Sequence, residues 1–262
     1  MLAPVMSALA QPGRVDFIDV SQVQASIDFA AVKAAGFEAV IVKASEGLAY
    51  CDPRAEENLA RARDAGLLTA VYAFARPSQG KPREQARKLW DCLGSLAPGR
   101  LVLDLETRPD GWSNEQVVGF AEEYSDEQRI LDGGSSPWVY SYVSFLMALG
   151  PALTRSGLGE CPLWVAQYRS TTTPWAPSAT QQPNVLVPWR DWAAWQYSGN
   201  GGYRVPGVPG DCDRNVFNGT LADLRRAFGL PLEAPPDAVR VIHPPVPLGL
   251  YDDPDDEPPA AA

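Results

Sequence analysis

Histidine is almost missing from this chain: His243 is the single one in 262 residues. Catalysis by a histidine base, or a metal held by clustered histidines, has little to build on. Cysteine is scarce as well. Cys51, Cys92, Cys161 and Cys212 form no C-x-x-C pair, so the spacing of a zinc site is lacking and no metal is expected. A thiol nucleophile would have no base, because His243 falls in a proline-rich C-terminal stretch. The four cysteines allow three pairings, and the sequence does not choose among them; they read as buried thiols or one disulfide. No apolar run reaches the roughly 18 residues of a transmembrane helix, so no membrane span is expected. Basic residues are outnumbered, 22 against 32 acids, and a net charge of −10 leaves no nucleic-acid footprint.

Hydrophobic residues make up 45% of the chain, enough for a full core in one large domain. The ends differ from the middle. Residues 1–14 are apolar with an Ala-x-Ala-like look, but no positive side chain precedes Arg14. They read as a short flexible lead rather than a secretory signal. Residues 230–262 hold nine of the 25 prolines and seven of the acids, with Arg240 as their one base. That composition reads as a disordered tail and a candidate tether to a larger assembly.

Between them, residues 15–229 alternate short apolar runs with helical patterns, as βα units do. Strands are expected at 15–20, 39–43, 68–74, 100–105, 137–142, 162–168 and 193–197. Helices are expected at 27–35, 54–65, 82–93, 113–131 and 221–228, with Ser113 and Gln116 spaced as a capping box and Thr220 as an N-cap. The expected fold is α/β: an irregular single-domain β/α barrel of TIM type. The stretch 169–191, with four prolines and two tryptophans, is a long loop of the kind more often functional than idle.

The acids sit where such a barrel does chemistry. Asp104 and Glu106 close the run LVLDLE one residue apart. Strand side chains alternate, so both point to one side and Leu105 to the other. Asp19 ends another strand, in VDFIDVS, and Asp213 follows a Gly/Pro turn, in GDCDRN. Strand C-termini of a parallel barrel open on one face, where active sites lie. A lone D-x-E is more often a solvated strand end. Four acids that converge, with Tyr72, Tyr140, Tyr142, Trp164, Tyr168, Trp195 and Tyr197 at or near several of the same strand ends, describe a sugar groove. Crowded carboxylates keep a proton near neutral pH, as cleavage of a glycosidic bond requires.

The segments IDVSQVQASIDFAAVKAAGFEAVIVKASEG, DPRAEENLARARDAGLLTAVYAFARP, LVLDLE, WVYSYVSF, LWVAQY, WQYS and VPGVPGDCDRNVFNG cover roughly residues 15–220. In this order they resemble glycoside hydrolase family 25, lysozymes common in phage endolysins. The resemblance implies cleavage of the β-1,4 bond between N-acetylmuramic acid and N-acetylglucosamine in bacterial peptidoglycan, with no cofactor. It implies Glu106 as general acid/base and Asp104 as the residue that orients the substrate's N-acetyl group or steadies charge at the sugar. Asp19 and Asp213 match further active-site carboxylates, and Tyr72, Tyr140, Trp164 and Gln196 match groove positions. Configuration is expected to be retained through the substrate's own acetamido group. Two positions depart from the family's habit: Ala73 replaces a frequent histidine, and Val23 a frequent aromatic. A wall target and a lead without basic residues point to a phage lysin or virion-associated enzyme, with an exported bacterial enzyme as the alternative. A catalytically weak wall-binding or virion component, or a glycosidase acting on chitin-like glycans, would share most of these features.

Overall fold

The computed structural model describes residues 13–94, 96, 99–169, 176–199 and 204–231. Most of the expected lead and nearly all of the expected tail lie outside these residues.

Among the described residues, nine strands form one sheet: β1 (Arg14–Val20), β2 (Ala39–Glu46), β3 (Tyr50–Cys51), β4 (Leu68–Phe74), β5 (Leu101–Asp104), β6 (Trp138–Tyr142), β7 (Leu163–Ala166), β8 (Ala194–Ser198) and β9 (Asp213–Asn218). They run in the order β1-β9-β8-β7-β6-β5-β4-β2-β3, and β1 also pairs with β2. Eight strands therefore close into a barrel, and β3 hangs on β2 as a short antiparallel flap. Among the described residues, six helices surround or plug it: α1 (Phe29–Ala34), α2 (Ala55–Asp64), α3 (Pro82–Leu93), α4 (Asn114–Leu131), α5 (Val143–Thr154) and α6 (Leu221–Ala227).

The two-residue alternation of strands sorts the core into two shells. Leu101, Leu103 and Leu105 face outward into the layer shared with the helices, beside Val117, Ala121 and Tyr124 of α4. Phe17, Ile41, Val102, Trp138 and Trp164 face inward and fill the barrel. Leu224 of α6 and the following Phe228 join this inner cluster, and Phe228 stands edge-on to Trp138 with ring centroids 5.6 Å apart. The apolar filling closes the end of the barrel where the parallel strands begin, so the opposite mouth is left to polar groups.

The expected helices and strands appear, most with ends shifted by one to three residues. Besides the two-residue β3, two elements go beyond the sequence reading. The first is α5, where Gly150 breaks the helical backbone at φ 51° just before Pro151. That interruption hides a helical period. The second is β9, which runs antiparallel to both β1 and β8. The barrel is therefore not all-parallel. Because β9 runs the other way, its first residue, Asp213, lies opposite Asp19 near the end of β1. A strand start and the strand C-termini meet at one mouth.

Cys51 and Cys92 form a disulfide that ties β3 to α3, while Cys161 and Cys212 are buried thiols. Residues 176–191 of the long loop pack rather than lining the open mouth. Ser178 and Gln181 offer their carbonyls to the Arg14 guanidinium at the closed end, and Trp189 donates to the Cys161 carbonyl at 2.8 Å.

Candidate active site

Parallel register lays a row of side chains across the open mouth: Glu46 opposite Phe74, Phe74 opposite Asp104, Asp104 opposite Tyr140, and Tyr140 opposite Trp164. Asp19, Asp213, Gln196 and Tyr72 complete the ring. These eight sequence-derived residues (Asp19, Tyr72, Asp104, Glu106, Tyr140, Trp164, Gln196 and Asp213) line one cleft of about 160 Å³, together with Phe74.

Two side-chain amides organise the floor. Gln196 donates to Asp19 Oδ2 at 3.0 Å and accepts the Tyr140 hydroxyl at 2.7 Å and the Tyr168 hydroxyl. Asn215 donates to the same Asp19 oxygen at 2.7 Å and accepts the Trp164 indole N–H at 2.9 Å. Each amide thus has one orientation dictated by its neighbours. Asn215 escaped the sequence reading. It lies two residues after Asp213 on β9, so alternation would have placed it on the same face had that strand been recognised. Tyr168 belongs to the site through its hydroxyl, and Gly199 allows its approach. A Cβ there would come within 2.5 Å of the Tyr168 hydroxyl and 2.7 Å of Asp213 Oδ1.

The carboxylates are unequal. Burial lifts Asp213 to about 9, and the charge of Asp19 adds to it. Burial also lifts Asp19, to about 6, while donors from Asn215, Gln196 and Asp213 hold it down. The Asp213 carboxyl therefore keeps its proton and donates it to Asp19. Burial raises Asp104 well above the usual range, with the charge of Glu106 contributing; its Oδ1 is enclosed and has no hydrogen-bond partner among the described residues. Burial raises Glu106 too, opposed by the Tyr140 hydroxyl and the Lys43 charge. Glu106 and Asp213 are only half-buried and open to an incoming group, whereas Asp19 and Asp104 are buried. No group of three or more His, Cys, Asp or Glu side chains able to hold a metal ion occurs among the described residues.

The family profile described as Glycosyl hydrolases family 25 matches residues 18–208. The chain belongs to glycosyl hydrolase family 25. Lysozyme M1 of Streptomyces globisporus is 32% identical over 82% of this chain and 71% of its own length. The autolytic lysozyme of Clostridium acetobutylicum is 28% identical over 77% of this chain and 55% of its own length. The crystal structure of a bacterial lysozyme from Streptomyces coelicolor superposes with a TM-score of 0.70 at 31% identity, covering 83% of this chain and 98% of that one. As a family 25 member, the protein is a glycoside hydrolase of lysozyme type.

The two departures from the family's habit fall differently in space. Ala73 is buried in the outer core, between Tyr72 and Phe74 that line the cleft. Its side chain belongs to the shell facing the helices. Val23 is 80% exposed on the turn after β1.

Proposed function

We propose that this protein is a muramidase that hydrolyses the β-1,4 bond between N-acetylmuramic acid and N-acetylglucosamine in peptidoglycan. The observation that carries the reading is the pairing, in one cleft, of a half-buried Glu106 raised above the usual carboxylate range with a buried Asp104 whose Oδ1 has no partner.

Glu106 gives its proton to the glycosidic oxygen as the C1–O bond breaks. The acetamido oxygen of the same sugar adds to C1 from the other face, so that no protein nucleophile is needed. Its N–H is directed to the Asp104 carboxyl in the cleft lining, which orients it. Glu106, now ionised, takes a proton from water as that water attacks C1 and reopens the ring, which retains configuration. Tyr140, within reach of both Glu106 and Gln196, can donate to Glu106 once it has lost its proton. Asp19 and Asp213, sharing a proton, shape the floor with Trp164 and Gln196. Residues 230–262, nearly all of them outside the described residues, are read as a tether to a larger assembly.

Digestion of purified wall followed by mass spectrometry of the products tests this. Fragments ending in reducing N-acetylmuramic acid are expected. Fragments ending in reducing N-acetylglucosamine, or cleavage of chitin oligomers in preference to wall, would overturn the bond assignment.

A further inference from the structure

A second cavity, of about 320 Å³, opens beside the catalytic cleft over the ends of β1, β2 and β4. It is lined by Gln22, Lys43, Glu46, Ala49, Tyr50 and Gln79. The wall between the two spaces is Phe74, which lines the cleft and carries Lys43 Nζ 5.2 Å from its ring centroid.

We propose that this cavity receives the peptide stem borne on the lactyl ether of the muramic sugar, and that Lys43 in its lining, together with Arg76 bound to Glu46 beside it, recognises a stem carboxylate. The proposal rests on the reading that Asp104 meets the acetamido group of that sugar.

The geometry supplies the reach. Asp104, Phe74 and Glu46 stand in register on three adjacent strands, so Glu46 lies two strand spacings from Asp104, about 10 Å. On a pyranose the lactyl group sits on C3, next to the acetamido-bearing C2. From C3, the lactyl unit and two extended residues cover about 10 Å at 3.3–3.6 Å each. The second stem residue, an acidic one in wall peptides, then arrives beside Lys43.

The chemistry at that point favours an anion. Glu46 is held by two cations: Lys43 Nζ at 2.6 Å on Oε2 and Arg76 Nε at 2.7 Å on Oε1. Glu46 and nearby Asp52 balance Lys43 and Arg76 in charge, so what is left over is hydrogen-bond donors rather than net charge. Asp52, behind β3, already has both oxygens engaged, by the Gln22 and Arg54 backbone N–H groups at 2.9 Å each. Lys43 Nζ has further donors beyond the one on Glu46, and Arg76 is 39% exposed. The cavity is firmly built. The Gln79 side chain accepts the Leu48 N–H at 2.8 Å, and a Cβ on Gly47 would collide with it at 2.3 Å. The Cys51–Cys92 disulfide holds the strand that carries Tyr50.

Calorimetry on the full chain with N-acetylmuramyl-L-alanyl-D-glutamate, and with the same compound carrying amides in place of both glutamate carboxyls, tests the site. The acid is expected to bind about tenfold more tightly, as a charge-assisted hydrogen bond allows. Arg76→Gln should bring the two ligands level, and Arg76→Lys should keep part of the preference. Equal affinities for the wild type, no binding of either ligand, or an equal loss for both in Arg76→Gln would overturn the proposal. Release of reducing ends from stem-bearing strands reads out the muramidase function separately. If that release is absent while the ligand preference persists, the function fails and the stem site stands. If release is normal without any preference, the stem site alone fails.

Discussion

Asp19 and Asp213 face each other across the antiparallel β1–β9 pair and share one proton, donated from Asp213 to Asp19. This pair makes the active site a place of stored instability. The folded chain holds Asp213 at about 9, against about 3.8 for an ordinary aspartate. Between those values the folded protein binds more protons than the unfolded one, so stability falls as pH rises. Asp19, at about 6, adds to the slope on the acid side of that window.

Asp213→Asn removes a group that cannot ionise cheaply and keeps its size and its ability to donate to Asp19. Its melting temperature should match the wild type near pH 4. A gain should then grow up to about pH 9, while activity falls. Thermal unfolding of both proteins over that range checks it, and parallel curves would show that Asp213 does not titrate as described.

Glu106→Gln keeps the shape of the group and removes its proton. General acid/base catalysis contributes on the order of 10²–10⁴ in rate, so kcat for reducing-end release should drop by about that factor. The melting temperature should change little, because Glu106 is half-buried and makes no ion pair among those described. A variant that keeps wild-type kcat would remove Glu106 from the proposed role.

Asn215→Ala strips a donor from Asp19 and an acceptor from the Trp164 indole, both in buried surroundings. Leaving such groups unmatched costs about 1–3 kcal/mol each. Denaturant unfolding should therefore show a loss of at least about 1 kcal/mol. Asn215 normally holds the Asp19 carboxyl down, so its removal should push Asp19 above about 6. A carboxyl-selective titration that finds Asp19 unmoved would contradict this network.

The placing of Asp104 and Glu106 on one face was readable in the sequence because strand alternation acts over two residues. LVLDLE places Asp104 and Glu106 on one side and Leu105 in the outer core, where it is fully buried. Asp213 was readable as an acid of the site, but its strand was not. DRNVFN carries a fully buried Arg214 and Asn215, so the polar-out pattern of a half-exposed strand is missing, and direction in a sheet leaves no local mark. The amide relay of Asn215 was lost with it. The pocket beside Lys43 was equally hidden, because Gln22, Glu46 and Gln79 come from three strand ends that only the closed barrel brings together. The cysteine pairing needed the same information: Cys51 and Cys92 are 41 positions apart in sequence and 5.4 Å apart at Cα.

Lys43 links the stem cavity to the chemistry, since its charge favours the ionised forms of both Asp104 and Glu106. A general acid works only while protonated, so activity is lost as pH climbs through the value of Glu106 in the enzyme. Lys43→Met removes a cation that pulls this value down and leaves Glu46 with Arg76 alone. Both changes raise the Glu106 value. The alkaline limb of kcat should therefore move to higher pH, whereas Lys43→Arg should leave it near the wild-type position. Glycan strands stripped of their stems are the substrate of choice, because they isolate this electrostatic effect from any loss of stem binding. An alkaline limb that stays in place in Lys43→Met, or moves to lower pH, would mean that the Lys43 charge does not reach the catalytic acid.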